Sequence, residues 1–425
     1  MSIRRVAICS RWLAGAIVLA VGLLATAHAQ EAAPQALTFS VLHDFAGAPN
    51  DGAGPAAAVT PAGDGSYYGT TSWGGSSSSC DSNCGTVFKL AADGSETVLY
   101  NFTGGASGSY PINVIPDEQG NLYGITVYGG DLDCASGFGC GVVFKLTPDG
   151  TETVLHTFSG DDESPSGPLI RDADGNLYGT TYGGDINVCG KDHNCGTVFK
   201  LAPDGTYTRL HDFVGGAGGA LPNGGLIRDR AGNLYGEALG GGFNNHGVIF
   251  KLKPEGTYIV LYAFMGGADG QSPKGGLVSD RDGNFYGTTN SGGLAVCGKD
   301  RNCGTVFKLA ANGTHTVLYA FKGVSDGAHP ESSLYRNPQT GALYGTTPSG
   351  GKKSCNTSCG TVFVVRPAGS EQVLHRFDGS DGANPIANLV KGQGTQLIGT
   401  TWFGGTNSNG VIYGDGVIYS LQMTE

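Results

Sequence analysis

The chain is one unit written seven times, which restricts it to folds that stack or ring equivalent copies. The string NLYGTTYGG at 176–184 has relatives throughout, its first glycine recurring as Gly69, Gly124, Gly179, Gly236, Gly287, Gly345 and Gly399. A second string, G-[TV]-[VI]-[FY], starts at Gly85, Gly141, Gly196, Gly247, Gly304, Gly360 and Gly416. A third, V-L-x-x-F in form, ends at Phe45, Phe102, Phe158, Phe213, Phe264, Phe321 and Phe377.

Within the copy at 167–213, Leu169–Arg171 is a short β-rich run closed by the turn Asp172-Ala173-Asp174-Gly175. Leu177–Tyr182 follows, rich in Tyr and Thr. Thr197–Leu201 then alternates apolar and polar residues, Asp204-Gly205 makes a hairpin turn, and Tyr207–Phe213 returns. No sustained helical period appears. Each copy is therefore read as four antiparallel strands, a to d. Four strands in about 55 residues, seven times over, predict an all-β, seven-bladed β-propeller. The segment LTFSVLHDF at 37–45 is a d strand lacking a, b and c, while the C-terminal copy supplies a, b and c but no d. The N-terminal strand is expected to join the last blade and close the ring, removing exposed sheet edges.

Before the first repeat, Arg4, Arg5 and Arg11 precede an apolar run, Leu13 to Leu24, and a small-residue site, Ala27-His28-Ala29. This pattern predicts a signal peptide over 1–29, then a linker over 30–36 and a single propeller domain over 37–425. The apolar run is short for a membrane span, so no membrane insertion is expected once the leader is removed. The predicted location is extracytoplasmic, secreted or periplasmic, in a bacterium. Without the leader, 22 of the 25 basic residues remain against 36 acidic ones. That balance argues against nucleic acid or an anionic membrane as partner.

Ten cysteines remain after Cys9 leaves with the leader, and they pair in sequence: Cys80/Cys84, Cys134/Cys140, Cys189/Cys195, Cys297/Cys303 and Cys355/Cys359. Each pair lies between strands b and c, and copies four and seven lack both members. Asp192 and His193 in one loop suggest zinc, but Arg301 replaces the histidine in the next cysteine loop of the same pattern, and the other loops offer none. A disulfide within each loop is the reading, with neither metal nor cofactor implied. Asp172/Asp174 and Asp280/Asp282 resemble a fragment of a calcium loop, but the third oxygen ligand and the downstream Glu of such a loop are missing, and turn capping is the favoured reading over weak calcium binding. His43, His156, His211 and His375 alternate with Tyr100, Tyr262 and Tyr319 at one position of strand d, which points to packing or hydrogen bonding.

The d–a and b–c connections of such a propeller emerge on one face. Asp51, Asp161, Asp269, Asp326 and Asp381 precede the proline that opens strand a, and Trp73, Tyr128, Tyr182, Trp402 and Phe403 stand near the end of strand b. Carboxylates and aromatics around a channel mouth suit carbohydrate, so these ten are the candidate ligand-binding residues; turn caps and inter-blade fillers are the competing role. No catalytic residues are assigned. The expected function is a monomeric binding or interaction module for polysaccharide or a cell-surface protein. The alternative is an extracytoplasmic propeller enzyme of polysaccharide lyase, glycoside hydrolase or lactonase type. Catalysis usually breaks repeat symmetry. The departures here are Glu237-Ala238 in place of Thr-Thr, and the C-terminal GVIYGDGVIYSL.

The strings YGTTYGG, CGTVFKL and PDGTxTxLHxF resemble the tandem GloVer repeat of exported bacterial proteins, often called choice-of-anchor proteins. The resemblance spans nearly all of 37–421 and implies an extracytoplasmic or surface protein, with no enzymatic role to carry over. Members often end in an anchoring tail, whereas this chain stops at SLQMTE.

Overall fold

A computed structural model describes residues 37–77, 80, 84–134, 137–160, 164–183, 195–293, 302–351, 359–406 and 414–423. The predicted leader and linker, Asp161, Cys189, Cys297 and Cys355 lie outside them. Seven antiparallel four-stranded sheets form a seven-bladed propeller. Blade 3 is representative, with strand a at Pro165–Arg171, b at Leu177–Thr181, c at Thr197–Leu201 and d at Tyr207–Asp212. In blades 4 and 5 strand a is split in two, Ala220–Pro222 with Ile227–Arg228 and Gln271–Pro273 with Val278–Ser279.

The expected closure is present. Strand Leu37–Asp44 pairs antiparallel with the C-terminal strand Val417–Met423, giving blade 7 its fourth strand from the opposite end of the chain. Every blade carries a bulge in strand d. In blade 3, Val198 faces His211 while Phe199 faces Arg209, so Leu210 is the extra residue. The leucine of V-L-x-x-F is thus the bulge residue, which adds twist to the outer edge of each blade.

The core lies between blades. The phenylalanine ending each strand d meets the strand-c ring of the next blade edge to face. Phe158–Phe199 is separated by 5.4 Å, Phe321–Phe363 by 5.0 Å, and Phe377–Tyr419 by 5.1 Å at the last junction. These rings are 0–2% exposed at all seven junctions. The repeated strand-b glycine exists for this ring: a Cβ on Gly179 would lie 2.5 Å from Phe199 Cζ, and one on Gly345 2.6 Å from Phe363 Cζ.

The Asp-x-x-Gly-Asn turn between strands a and b is closed from within. The Asp172 carboxylate accepts hydrogen bonds from the Asp174 and Asn176 amides, the Asn176 side chain and the Tyr178 hydroxyl. Asp280 repeats the set with Asp282, Asn284 and Tyr286. The tyrosine of NLYG is therefore a latch on its own turn.

Two substitutions test this packing by denaturant unfolding. Gly179→Ala forces a methyl into the Phe199 ring and should cost about 1–3 kcal/mol. Tyr419→Phe should stabilise by about 1 kcal/mol, because the Tyr419 hydroxyl is buried without a hydrogen-bond partner and six blades already use phenylalanine there. A neutral Gly179→Ala, or a destabilising Tyr419→Phe, would contradict the packing described.

Candidate functional site

The cysteine loops and the d–a connections are tied together on one face. The second cysteine of a loop offers its carbonyl to the amide of the residue before the next blade's proline. Tyr110 N–H donates to Cys84 O at 3.0 Å, Leu221 to Cys195 at 2.9 Å, His329 to Cys303 at 2.8 Å and Asn384 to Cys359 at 2.9 Å. His246 and Asp415 carbonyls take this role in the loops without cysteine, accepting from Ser272 and Gly54. Six of the seven residues before the proline are not glycine yet have left-handed backbone, from Ser164 at φ 55° to Tyr110 at φ 63°. Such conformations cost of order 1–3 kcal/mol each and persist only where surroundings impose them. Cys80–Cys84 and Cys134–Cys140 form disulfides, and Cys195, Cys303 and Cys359 are also disulfide-bonded.

The four described aspartates hold the d–a turns. Each accepts a backbone N–H from just after the strand-d phenylalanine: Ala46 to Asp51 at 2.8 Å, Met265 to Asp269 at 2.7 Å, Lys322 to Asp326 at 3.0 Å and Asp378 to Asp381 at 2.8 Å. Each also meets the variable strand-d ring: His43 at 3.3 Å, Tyr262 at 2.7 Å, Tyr319 at 2.6 Å and His375 at 2.9 Å. This explains the His/Tyr alternation, since both present a polar hydrogen to one carboxylate. The same rings stack on a residue near the start of the next strand d, as in His156–Tyr207 at 4.0 Å and His375–Phe39 at 3.8 Å.

At the centre of this face lies a mouth of about 440 Å³ to which all seven blades contribute. Tyr110, Tyr182 and Trp402 supply its rings. Lys274 and Glu331 pair across it at 2.6 Å, and the Asn290 side-chain amide donates to Glu331 at 2.9 Å. Asn113 and Asn388 line both this mouth and a second cavity of about 460 Å³ that opens among Thr60, Tyr335 and Arg336. Trp402, Phe403 and Trp73 cluster as three mutually stacked rings, with Trp402 4.8 Å from Phe403 and 5.4 Å from Trp73, and Trp73 6.1 Å from Phe403. The arc continues through Trp73–Tyr110 at 5.6 Å, Tyr110–Tyr128 at 5.8 Å and Tyr128–Phe138 at 5.9 Å. Four of the five aromatics singled out in the sequence thus fall in one arc, and Tyr182 lines the mouth separately. Sequence reasoning missed Tyr110, which stands before a repeat proline, and also Lys274, Glu331 and Phe138. The variable residue before an invariant proline was the available signal.

Glu237 breaks the repeat inside the wall of the ring. Its counterparts Thr70, Thr288, Thr346 and Thr400 each donate a hydroxyl to a backbone carbonyl in or just before strand a of the next blade. Glu237 is 2% exposed; its Oε2 accepts the Gly276 N–H at 2.9 Å, while Oε1 has no partner. Burial pushes its pKa up to about 8, against the smaller opposing effect of the Gly276 hydrogen bond. The folded state holds this proton more tightly than the unfolded chain. Its stabilising contribution is therefore full below about pH 4.5 and is lost as pH rises towards 8, by roughly 5 kcal/mol at most. Glu237→Gln should melt like the parent near pH 5 and higher than it at pH 8 to 9. An identical pH slope for both proteins would contradict this.

Among the described residues no helix is long and apolar enough to cross a membrane. Several solved structures align with the chain at low identity. The extracellular domain described as a one-component system from B. thetaiotaomicron aligns with 91% of this chain and 42% of its own, at 13% identity and a TM-score of 0.52. A gluconolactonase from Xanthomonas campestris aligns over 91% and 90% of the two chains, at 14% identity and a TM-score of 0.41. A PQQ-bound aldose sugar dehydrogenase from Streptomyces coelicolor aligns over 92% and 99%, at 14% identity and 0.44. No curated protein matches the chain. The model of the Gloeobacter/Verrucomicrobia repeat matches residues 30–191, 133–358 and 187–413, overlapping segments that span nearly all of the sequence. The chain belongs to the Gloeobacter/Verrucomicrobia repeat family.

Proposed function

We propose that the chain is an exported, monomeric binding module that works outside the cytoplasm and holds a neutral polysaccharide across its aromatic mouth. The observation that carries this reading is the convergence of rings and amides. Tyr110, Tyr182 and Trp402 border the same opening as Asn113 and Asn388. Apolar sugar faces stack on rings, and amides exchange hydrogen bonds with hydroxyls. Trp73 and Phe403 hold Trp402 in place, Tyr128 extends the arc, and the aspartates keep the d–a turns in register beneath it. The secretion-type leader and the disulfides support an oxidising, extracytoplasmic location, secreted or periplasmic.

Binding is favoured over hydrolysis or lyase chemistry because the mouth's carboxylate, Glu331, is held by Lys274 and Asn290. Glycoside hydrolysis pairs two carboxyl groups in different protonation states, and Glu331 is the one carboxylate among the described residues that line the mouth.

Affinity electrophoresis in gels containing neutral polysaccharides tests the proposal. Tyr110→Ala, Tyr182→Ala and Trp402→Ala should each weaken retention several-fold, and the triple variant should abolish it, because one polymer engages several rings at once. Retention should change little between about 50 and about 500 mM salt, since no net ion pairing is involved. A folded triple variant that is retained like the parent would overturn the proposal, as would capture of a surface protein with no retention on any glycan.

A further inference from the structure

We infer that His43, Asp51 and Glu96 form a binding site for one divalent transition-metal ion, of the zinc or manganese class, where the closing blade meets blade 1. One ligand atom from each lies within 4.8 Å of the other two. The three come from separate segments. His43 is the next-to-last residue of the N-terminal strand, Asp51 lies in the following connection, and Glu96 opens strand d of blade 1. All three are partly buried, so water could complete the coordination.

The site is oriented in advance. Asp51 accepts backbone N–H groups from Ala46 at 2.8 Å and Gly52 at 2.7 Å, which fixes its carboxylate while leaving lone pairs free. The His43 ring stands edge-on to Phe45 at 4.6 Å. Two carboxylates here share a single imidazole, and among the described residues no lysine or arginine pairs with either. Glu96 Oε1 is buried and accepts no hydrogen bond. Asp415 adds further negative charge from blade 7, its carboxylate lying against Gly47. A cation would offset this surplus.

Other junctions show the same three positions filled differently. Tyr319, Asp326 and Glu371 occupy them between blades 5 and 6, where the Tyr319 hydroxyl donates to Asp326 at 2.6 Å. Tyr262 and His315 both meet Asp269, at 2.7 and 3.0 Å. Phe39 takes the third position beside His375 and Asp381. Among the described residues, only the seam trio gathers three ligating side chains. One imidazole nitrogen with two carboxylate oxygens suits zinc, manganese or iron, whereas calcium takes all-oxygen sets. A bound ion would fasten the N-terminal strand to blade 1, so binding should appear as stability.

The test uses the untagged chain, stripped with EDTA, titrated calorimetrically with Zn2+ and separately with Mn2+, and melted with and without each ion. One equivalent of at least one ion should bind, and at a hundredfold excess over Kd the melting temperature should rise by about 3 °C or more. His43→Tyr and Glu96→Gln should each weaken binding tenfold or more. Glu371→Gln, the same change at the junction without an imidazole, should leave it unaltered. Tyrosine already occupies the His43 position in other blades and glutamine is isosteric with glutamate, so both variants are expected to fold. Failure of both ions to bind stoichiometrically, or equal binding by the parent and both variants, would overturn the inference.

Discussion

Everything else in this ring rests on one contact, the edge-to-face pair of aromatic rings at each blade junction. The strand-d phenylalanine of one blade packs on the strand-c ring of the next, with centroids 5.0–5.4 Å apart. Burying each ring is worth roughly 1.5–3 kcal/mol and the pairing about 0.5–1.5 kcal/mol more. Strand b must then be glycine, because the ring lies where its Cβ would be. The partners are about 40 residues apart in sequence, so each blade is stabilised chiefly by its neighbours, as in a linear repeat array. The N-terminal strand turns that array into a closed ring.

The architecture explains most of the polar residues that attract attention. Aspartates cap the d–a turns, histidine and tyrosine rings alternate above them, and Cys84, Cys195, Cys303 and Cys359 each accept a hydrogen bond from the next blade. What the fold does not require is informative. Left-handed backbone before each of the seven repeat prolines would be most comfortable with glycine, yet six of these positions carry side chains, among them Tyr110 at the mouth. Threonine suffices for the strand-b contact, yet blade 4 buries a carboxyl group there. At departures of this kind the fold alone does not dictate the residue.

The blade count, strand order, closure and the pairing of Cys80 with Cys84 and of Cys134 with Cys140 were legible because they depend on local strings repeated at fixed spacing. The candidate aromatics were legible in part. Their position at the end of strand b placed Trp73, Tyr128, Trp402 and Phe403 on one face, but no sequence rule places Trp402 beside Trp73 across a junction more than 300 residues long. Tyr110 and the Lys274–Glu331 pair come together only through ring geometry. His43, Asp51 and Glu96 belong to three different strings, each of which reads as an ordinary repeat position until the ring is closed.

The central claim is that the first and last strands of the domain form one blade as firm as the others. Native-state hydrogen exchange measures this directly, amide by amide. The account predicts that amides in the paired register of Thr38–Asp44 with Val417–Gln422 exchange as slowly as those of the Thr197–Leu201 strand in blade 3. Rapid exchange confined to these two strands, with the other six blades protected, would show a ring that is open at its seam and would contradict the account.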